Sequence, residues 1–337
     1  MMKQAMFQEP REAKKVQCSL CSHRCLILPG KRGICAVREN RDGILYTLVY
    51  DKVIAQHVDP IEKKPLFHFL PGSLSFSIAT SGCNFHCMHC QNADISQLPR
   101  DRDGMVPGQE MSPSQIVEAA LKNGCESISY TYTEPTIYFE LAYDTARLAV
   151  EAGLKNIFVS NGYITPEALT VIKPYLHAAN IDLKGYSDVF YKKVCGARLQ
   201  PVLDSIRLYR EFGIWIEITT LVIPGYNDSD DELKGIAQFI RSVDENIPWH
   251  VSRFHPTYKL TDQPVTPLET LKRARRIGFD AGLRSVYEGN IPGEGEDTLC
   301  WSCGKTLIKR IGFSVRESLI KDGMCTFCGV PIAGVWS

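Results

Sequence analysis

A chain of 337 residues is long enough for one large α/β domain with small additions. Its hydrophobic share of 44% and charged share of 23% are ordinary for a soluble globular protein, which excludes a disordered or membrane-embedded chain. A formal net charge of zero argues against a strong non-specific nucleic-acid binder, which needs a basic excess to displace counterions.

The first fifteen residues hold no apolar run, and no later segment reaches the ~18 consecutive apolar residues of a spanning helix. The expectation is a cytoplasmic protein without a membrane partner. Thirteen cysteines in a long chain with no export signal point to metal ligands rather than disulfides. Eleven of them fall into three groups, and only Cys125 and Cys195 stand alone.

The first group is Cys18-x2-Cys21-x3-Cys25-x9-Cys35. This spacing serves either zinc or an auxiliary [4Fe–4S] cluster, and Gly30 and Gly33 let the segment fold back so that Cys35 joins the others. The reading leans to structural zinc, with His23 a surface residue or a substitute for one thiolate. Residues 1–70 thus read as a cysteine-rich segment and lead-in, 71–293 as a core, and 294–337 as a separate module.

Within the core, Leu74–Ala79 alternates with period two and breaks at Ser81-Gly82, as a strand entering a loop does. Cys83-Asn-Phe-His-Cys87-Met-His-Cys90 follows directly. Three thiolates at C-x3-C-x2-C spacing can wrap one face of a cubane cluster and leave the fourth iron open. The competing reading is a three-ligand zinc site completed by His86 or His89.

Further strands are expected at Ser127–Thr133, Asn156–Ser160, Ala179–Leu183, Trp215–Ile223, His250–Phe254 and Ser285–Tyr287, with helices between. Ser112-Pro113-Ser114-Gln115 and Thr266-Pro267-Leu268-Glu269 each have the form of a capped helix start. About six strand–helix units imply an α/β fold with a parallel sheet, as an open or partial (β/α)6-type barrel; a Rossmann-like open sheet is the competing topology. Cys125 reads as a small core residue.

The third cysteine group is Cys300-Trp-Ser-Cys303-Gly and Cys325-Thr-Phe-Cys328-Gly. Two C-x2-C knuckles give four closed sulfur ligands, as in a structural zinc ribbon; a rubredoxin-like iron site uses the same geometry. In the zinc reading this module has no chemistry of its own.

The Cys83–Cys90 loop, placed after the first strand, resembles the defining motif of the radical S-adenosylmethionine (SAM) superfamily. That resemblance implies a [4Fe–4S] cluster, SAM as cofactor, and cleavage to methionine and a 5′-deoxyadenosyl radical that abstracts hydrogen. Reduced ferredoxin or flavodoxin is the implied electron donor. His89 departs from the aromatic residue usual before the last cysteine.

Thr131-Tyr-Thr-Glu134-Pro135 is similar to the family's Gly-Gly-Glu-Pro-like motif without its glycines, which makes Glu134 the implied partner of the SAM amino group; a helix-start glutamate is the plainer role. Ser160-Asn161-Gly162 resembles the polar turn that contacts SAM in activating enzymes. Asp182-Leu183-Lys184 and Val222–Asp228 resemble stretches of the glycyl-radical activases, so Asp182 and Lys184 face SAM, substrate or each other. His255 matches a histidine beside the adenosyl portion. Cys195, in Tyr191–Gly196, is a thiol for hydrogen donation or substrate binding, or an inert packing residue.

Cys18–Asn40, Cys83–Asn92, Tyr287–Gly293 and the terminal knuckles together look like the radical SAM component of the AmmeMemoRadiSam system, related to pyruvate formate-lyase activating enzymes. That grouping implies functional association with Memo-like and AMMECR-type proteins. The substrate, whether a glycyl-radical protein, peptide, nucleic acid or small molecule, is left open. A non-catalytic zinc-rich interaction protein is the alternative from another class, and it leaves the three-cysteine loop unexplained.

Overall fold

A computed structural model describes residues 2–291 and 295–337. The end of the Tyr287–Gly293 stretch and the expected boundary at 293/294 lie outside the described residues.

Eight strands build the body of the central sheet: β1 (Lys52–Pro60), β2 (Leu74–Thr80), β3 (Ser127–Tyr130), β4 (Lys155–Ser160), β5 (Ala178–Asp182), β6 (Trp215–Val222), β7 (Trp249–Arg253) and β8 (Val286–Gly289). They lie in unbroken chain order from β8 to β1, with Gln109–Glu110 added outside β1. The seven strands β2 to β8 are parallel. β1 runs antiparallel to β2. A Rossmann-like sheet reverses its strand order at a switch point. Here the order never reverses, so the topology is that of a partial barrel, left open because β1 occupies the edge of β2.

Each of the six crossovers carries a helix: α1 (Pro113–Lys122), α2 (Phe139–Glu151), α3 (Pro166–Ile172), α4 (Leu199–Glu211), α5 (Asp230–Val243) and α6 (Leu268–Asp280). With helices packed outside and side chains inside, strands such as β3 are buried along their full length, as parallel strands are. The Ser112 capping box forms as the sequence predicts, with Gln115 reaching back to the Ser112 amide at 2.8 Å. The second predicted cap does not. α6 starts at Leu268 without a side-chain cap. Thr266 Oγ1 instead donates to the Val222 carbonyl at 2.6 Å and accepts from the Phe254 amide at 2.9 Å, stitching the ends of β6 and β7.

The N-terminal segment forms two small three-stranded sheets that share the main hydrophobic core. The C-terminal module has β9 (Thr298–Leu299), β10 (Thr306–Ile311) and β11 (Ser314–Ser318), and a small core of its own around Cys300, Leu307, Cys325 and Ile332. Buried Arg310 fastens it to the barrel, bonding the Phe67 carbonyl at 2.7 Å and lying 3.7 Å from Glu62. No helix among the described residues is long and apolar enough to cross a membrane.

Candidate active site

Parallel strands point their C-terminal ends the same way, and the loops that leave those ends converge. Here they line a cavity of about 710 Å³. Cys83, Cys87 and Cys90 come from the loop after β2, Thr131–Glu134 from that after β3, Ser160 and Asn161 from β4, and Asp182 and Lys184 from β5. The sequence-derived residues Glu134, Ser160, Asn161, Asp182 and Lys184 are thus brought together with the cysteine triad. His255 is exposed and is not among the lining residues, and neither is buried Cys195.

The cysteine loop is held largely by its backbone. His86 and Met88 amides donate to the carbonyls of Cys195 (2.8 Å) and Val194 (3.0 Å). Arg100 donates to the carbonyls of Cys83 (3.0 Å) and Phe85 (3.3 Å), and Gln97 also reaches Phe85. The Phe85 amide donates to Cys83 Sγ at 3.3 Å, and Ser96 Oγ lies 3.1 Å from Cys90 Sγ. Such bonds to sulfur tune the potential of an iron–sulfur cluster.

Sulfur spacing separates cluster from zinc. Four thiolates at about 2.3 Å from one zinc ion stand about 3.8 Å apart. The C-terminal knuckles match this: Cys300–Cys328 and Cys303–Cys325 sulfurs are 3.6 and 3.9 Å apart, and all four lie within 4.8 Å of one another. Among the described residues Cys83, Cys87 and Cys90 form no such tight group. Their donor set and spread fit a cluster that interposes an iron before each thiolate. Cys87 does lie within 4.8 Å of His89 and Cys195. His89 is buried with neither ring nitrogen bonded, and burial pushes its pKa down to about 3.

Glu134 carries more hydrogen bonds than a ligand-facing carboxylate alone would. It accepts from the Thr136 amide (3.0 Å) and hydroxyl (2.6 Å), from Ser160 Oγ (2.8 Å) and from the Asn161 amide (2.8 Å). It therefore caps the short helix at Pro135–Tyr138 and fixes the β4 turn in one stroke. Burial raises its pKa against these donors. Asn161 passes the order on, bonding Asn84 Oδ1 in the cysteine loop at 2.8 Å.

The missing glycines have a structural consequence. Tyr132 adopts φ of 60°, a left-handed conformation that costs a non-glycine residue about 1 kcal/mol or more. That turn ends β3 at Tyr130 rather than at Thr133. Compensation comes from the ring: its hydroxyl bonds Asp59 and Lys64 Nζ lies 4.7 Å above it. Asn92 of the cysteine loop bonds the Tyr132 carbonyl at 2.8 Å.

Asp182 and Lys184 face each other across 2.9 Å at the cavity wall. Burial opposes the Lys184 charge, but Asp182 and the nearby thiols hold its pKa well above the ordinary lysine value. The Val222–Asp228 turn is closed by Asn227, which accepts from the Ile223 amide at 2.6 Å and donates to the Lys184 carbonyl at 2.7 Å.

Other lining residues went unread in the sequence. Lys64 is 2% exposed, pairs with Asp59 at 2.6 Å, and burial pushes its pKa down to about 8. His250 also lines the cavity, and Glu217, which does not, supports that wall: it accepts from the Phe67 (3.0 Å) and His68 (2.7 Å) amides and lies 2.7 Å from His250 Nε2. Burial would raise its pKa, but His250, His68 and the Phe67 amide bring it down. Gly312 and Phe313, at the β10–β11 turn, also line the cavity, so the C-terminal module forms part of its wall. For Glu217 and His250 the only signal was the alternation of β6 and β7, which gives a face and not a partner.

Residues 77–240 match the family model of the radical SAM superfamily. Over 335 residues the chain is 48% identical to an uncharacterized protein of Methanocaldococcus jannaschii, covering 98% of this chain and 99% of that one. The chain carries a radical SAM domain over residues 77–240. It is also 21% identical over 232 residues to the pyruvate formate-lyase 1-activating enzyme of Escherichia coli, covering 64% of this chain and 93% of that one. Among solved structures, Streptococcus suis SuiB bound to precursor peptide SuiA superposes with a TM-score of 0.52 at 15% identity, over 69% of this chain and 51% of that one, a likeness of fold. The radical SAM family implies a [4Fe–4S] cluster and SAM, and the open triad beside the 710 Å³ cavity provides for both.

Proposed function

We propose that this radical SAM enzyme cleaves SAM reductively to methionine and a 5′-deoxyadenosyl radical, which takes hydrogen from a substrate admitted to the same cavity. The observation that carries the reading is the cysteine triad, its three cysteines lining a cavity walled by charged and amide side chains without closing into a tight metal-sized group. When bound, the cluster supplies the electron that breaks a carbon–sulfur bond of SAM. Cys83, Cys87 and Cys90 would hold three of its irons. Glu134 keeps the Ser160–Asn161 turn in place, and the Asp182–Lys184 pair offers opposite charges to the zwitterionic end of SAM. Phe67, Phe85 and Phe313 border the space and limit water. Electrons come from a reductant such as ferredoxin or flavodoxin.

Zinc is the metal proposed for Cys300, Cys303, Cys325 and Cys328, supported by sulfur–sulfur distances of 3.6 and 3.9 Å. Membership of the AmmeMemoRadiSam group, with Memo-like and AMMECR-type associates, rests on the motif pattern of the whole chain. Activation of a glycyl-radical protein is the second reading, favoured by the similarity that spans 93% of the Escherichia coli activating enzyme.

Anaerobic reconstitution with iron and sulfide, then dithionite and SAM, should yield 5′-deoxyadenosine. Deuterium recovered in that product from a labelled candidate substrate identifies the hydrogen donor. Intact SAM after reduction of fully loaded protein overturns the proposal.

A further inference from the structure

The N-terminal cysteines differ from the C-terminal ones in the feature that separates cluster from zinc. Cys18, Cys21, Cys25 and Cys35 line an enclosed void of about 10 Å³ together with Arg38 and Ile137. A void of that size has room for about one water molecule. A zinc ion at about 2.3 Å from each sulfur leaves no such space between its ligands. Among the described residues, no three of these four sulfurs lie within 4.8 Å of one another. The four sulfurs thus stand wider apart than the ligands of one tetrahedral ion.

The wall of the void supplies a second observation. Arg38 is 1% exposed; its Nη2 bonds the Met6 carbonyl at 2.6 Å and Glu140 Oε1 at 2.7 Å. Its Nε and Nη1 are buried with no partner. Buried guanidinium donors without acceptors are costly, because they give up water and gain nothing in return. Cluster sulfides and thiolates accept such bonds. Burial of the cysteines, three of them no more than 9% exposed, suits a group that must be kept from water.

The void also abuts the SAM-cleaving loop. A Cβ placed on Gly82, the residue before Cys83, would stand 3.1 Å from the Cys35 carbonyl and 2.7 Å from Val37. Arg100 bonds the carbonyls of both Ile34 and Cys83, and His23 Nε2 lies 2.8 Å from the Asn84 carbonyl.

We propose that Cys18, Cys21, Cys25 and Cys35 bind an auxiliary [4Fe–4S] cluster, seated against Arg38 and directly behind the Cys83–Cys90 loop. This departs from the zinc favoured by cysteine spacing alone, because spacing along the chain does not give the distance between sulfurs.

Metal analysis of anaerobically reconstituted protein tests it. The wild-type chain should carry about eight iron and one zinc, and the Cys83→Ala/Cys87→Ala/Cys90→Ala variant about four iron and one zinc, with Mössbauer parameters of a [4Fe–4S] cluster. Adding Cys35→Ala to that variant should remove the remaining iron. Wild type with about four iron and two zinc, and a triple variant with none and two zinc, overturns the proposal while leaving the SAM-cleaving site as described. Because the wild-type count alone decides between eight and four, the test survives a variant that does not fold.

Discussion

The C-terminal knuckles and the Cys83–Cys90 loop use the same side chain for opposite ends. The knuckle sulfurs close on one another at 3.6 and 3.9 Å. Gly304 and Gly329, at φ of 70° and 74°, turn the chain sharply after each pair. The surrounding module has only a small core, so a metal bound there would stand in for apolar burial. The loop after β2 is instead anchored by backbone hydrogen bonds to the barrel, and its three cysteines line the cavity without closing into a tight group. A closed site stabilises; an open one keeps a coordination position for chemistry.

Exchanging Cys87 for Ala should abolish 5′-deoxyadenosine formation while the zinc content stays at one per chain, measured by product analysis and metal assay. Cys325→Ala should do the reverse, losing zinc and unfolding residues 298–337 by hydrogen exchange, a site whose metal contributes on the order of 10 kcal/mol. Iron bound at the triad should remain. An intermediate effect is expected where the two regions meet. Arg310→Met leaves Glu62 buried without its cation at 3.7 Å and should cost roughly 3–5 kcal/mol, read as a fall in melting temperature.

The smallest effect concerns Lys64, on the barrel side of the cavity. Its folded pKa of about 8 lies below the ordinary 10.5, so between these values the unfolded chain binds a proton that the folded chain does not. Stability from this group therefore rises with pH across that window, by on the order of 1–3 kcal/mol. Lys64→Met should flatten the rise in melting temperature between pH 8 and 10.

Much of this contrast is legible in the sequence. The strand-to-loop placement of Cys83, Cys87 and Cys90, the seven parallel strands and the paired knuckles follow from period, punctuation and spacing. What escapes is whatever depends on partners distant in the chain. Glu134 looks like a ligand residue, and its bonds to Ser160 and Asn161 emerge only once β3 and β4 lie side by side. Thr266 has the form of a cap, but the Val222 carbonyl takes its hydroxyl. Asp59, Lys64 and Phe313 carry no motif at all; β1 and the β10–β11 turn bring them to the cavity region. His255 matches a family position, yet its side chain is exposed in this chain, and His250 lines the cavity instead.

Electron paramagnetic resonance of the dithionite-reduced protein, recorded with and without SAM, tests the open triad most directly. The account predicts a reduced [4Fe–4S] signal whose g values shift on adding SAM, with the SAM-dependent shift absent in Cys87→Ala. A fully loaded, reduced protein whose spectrum is indifferent to SAM would contradict it.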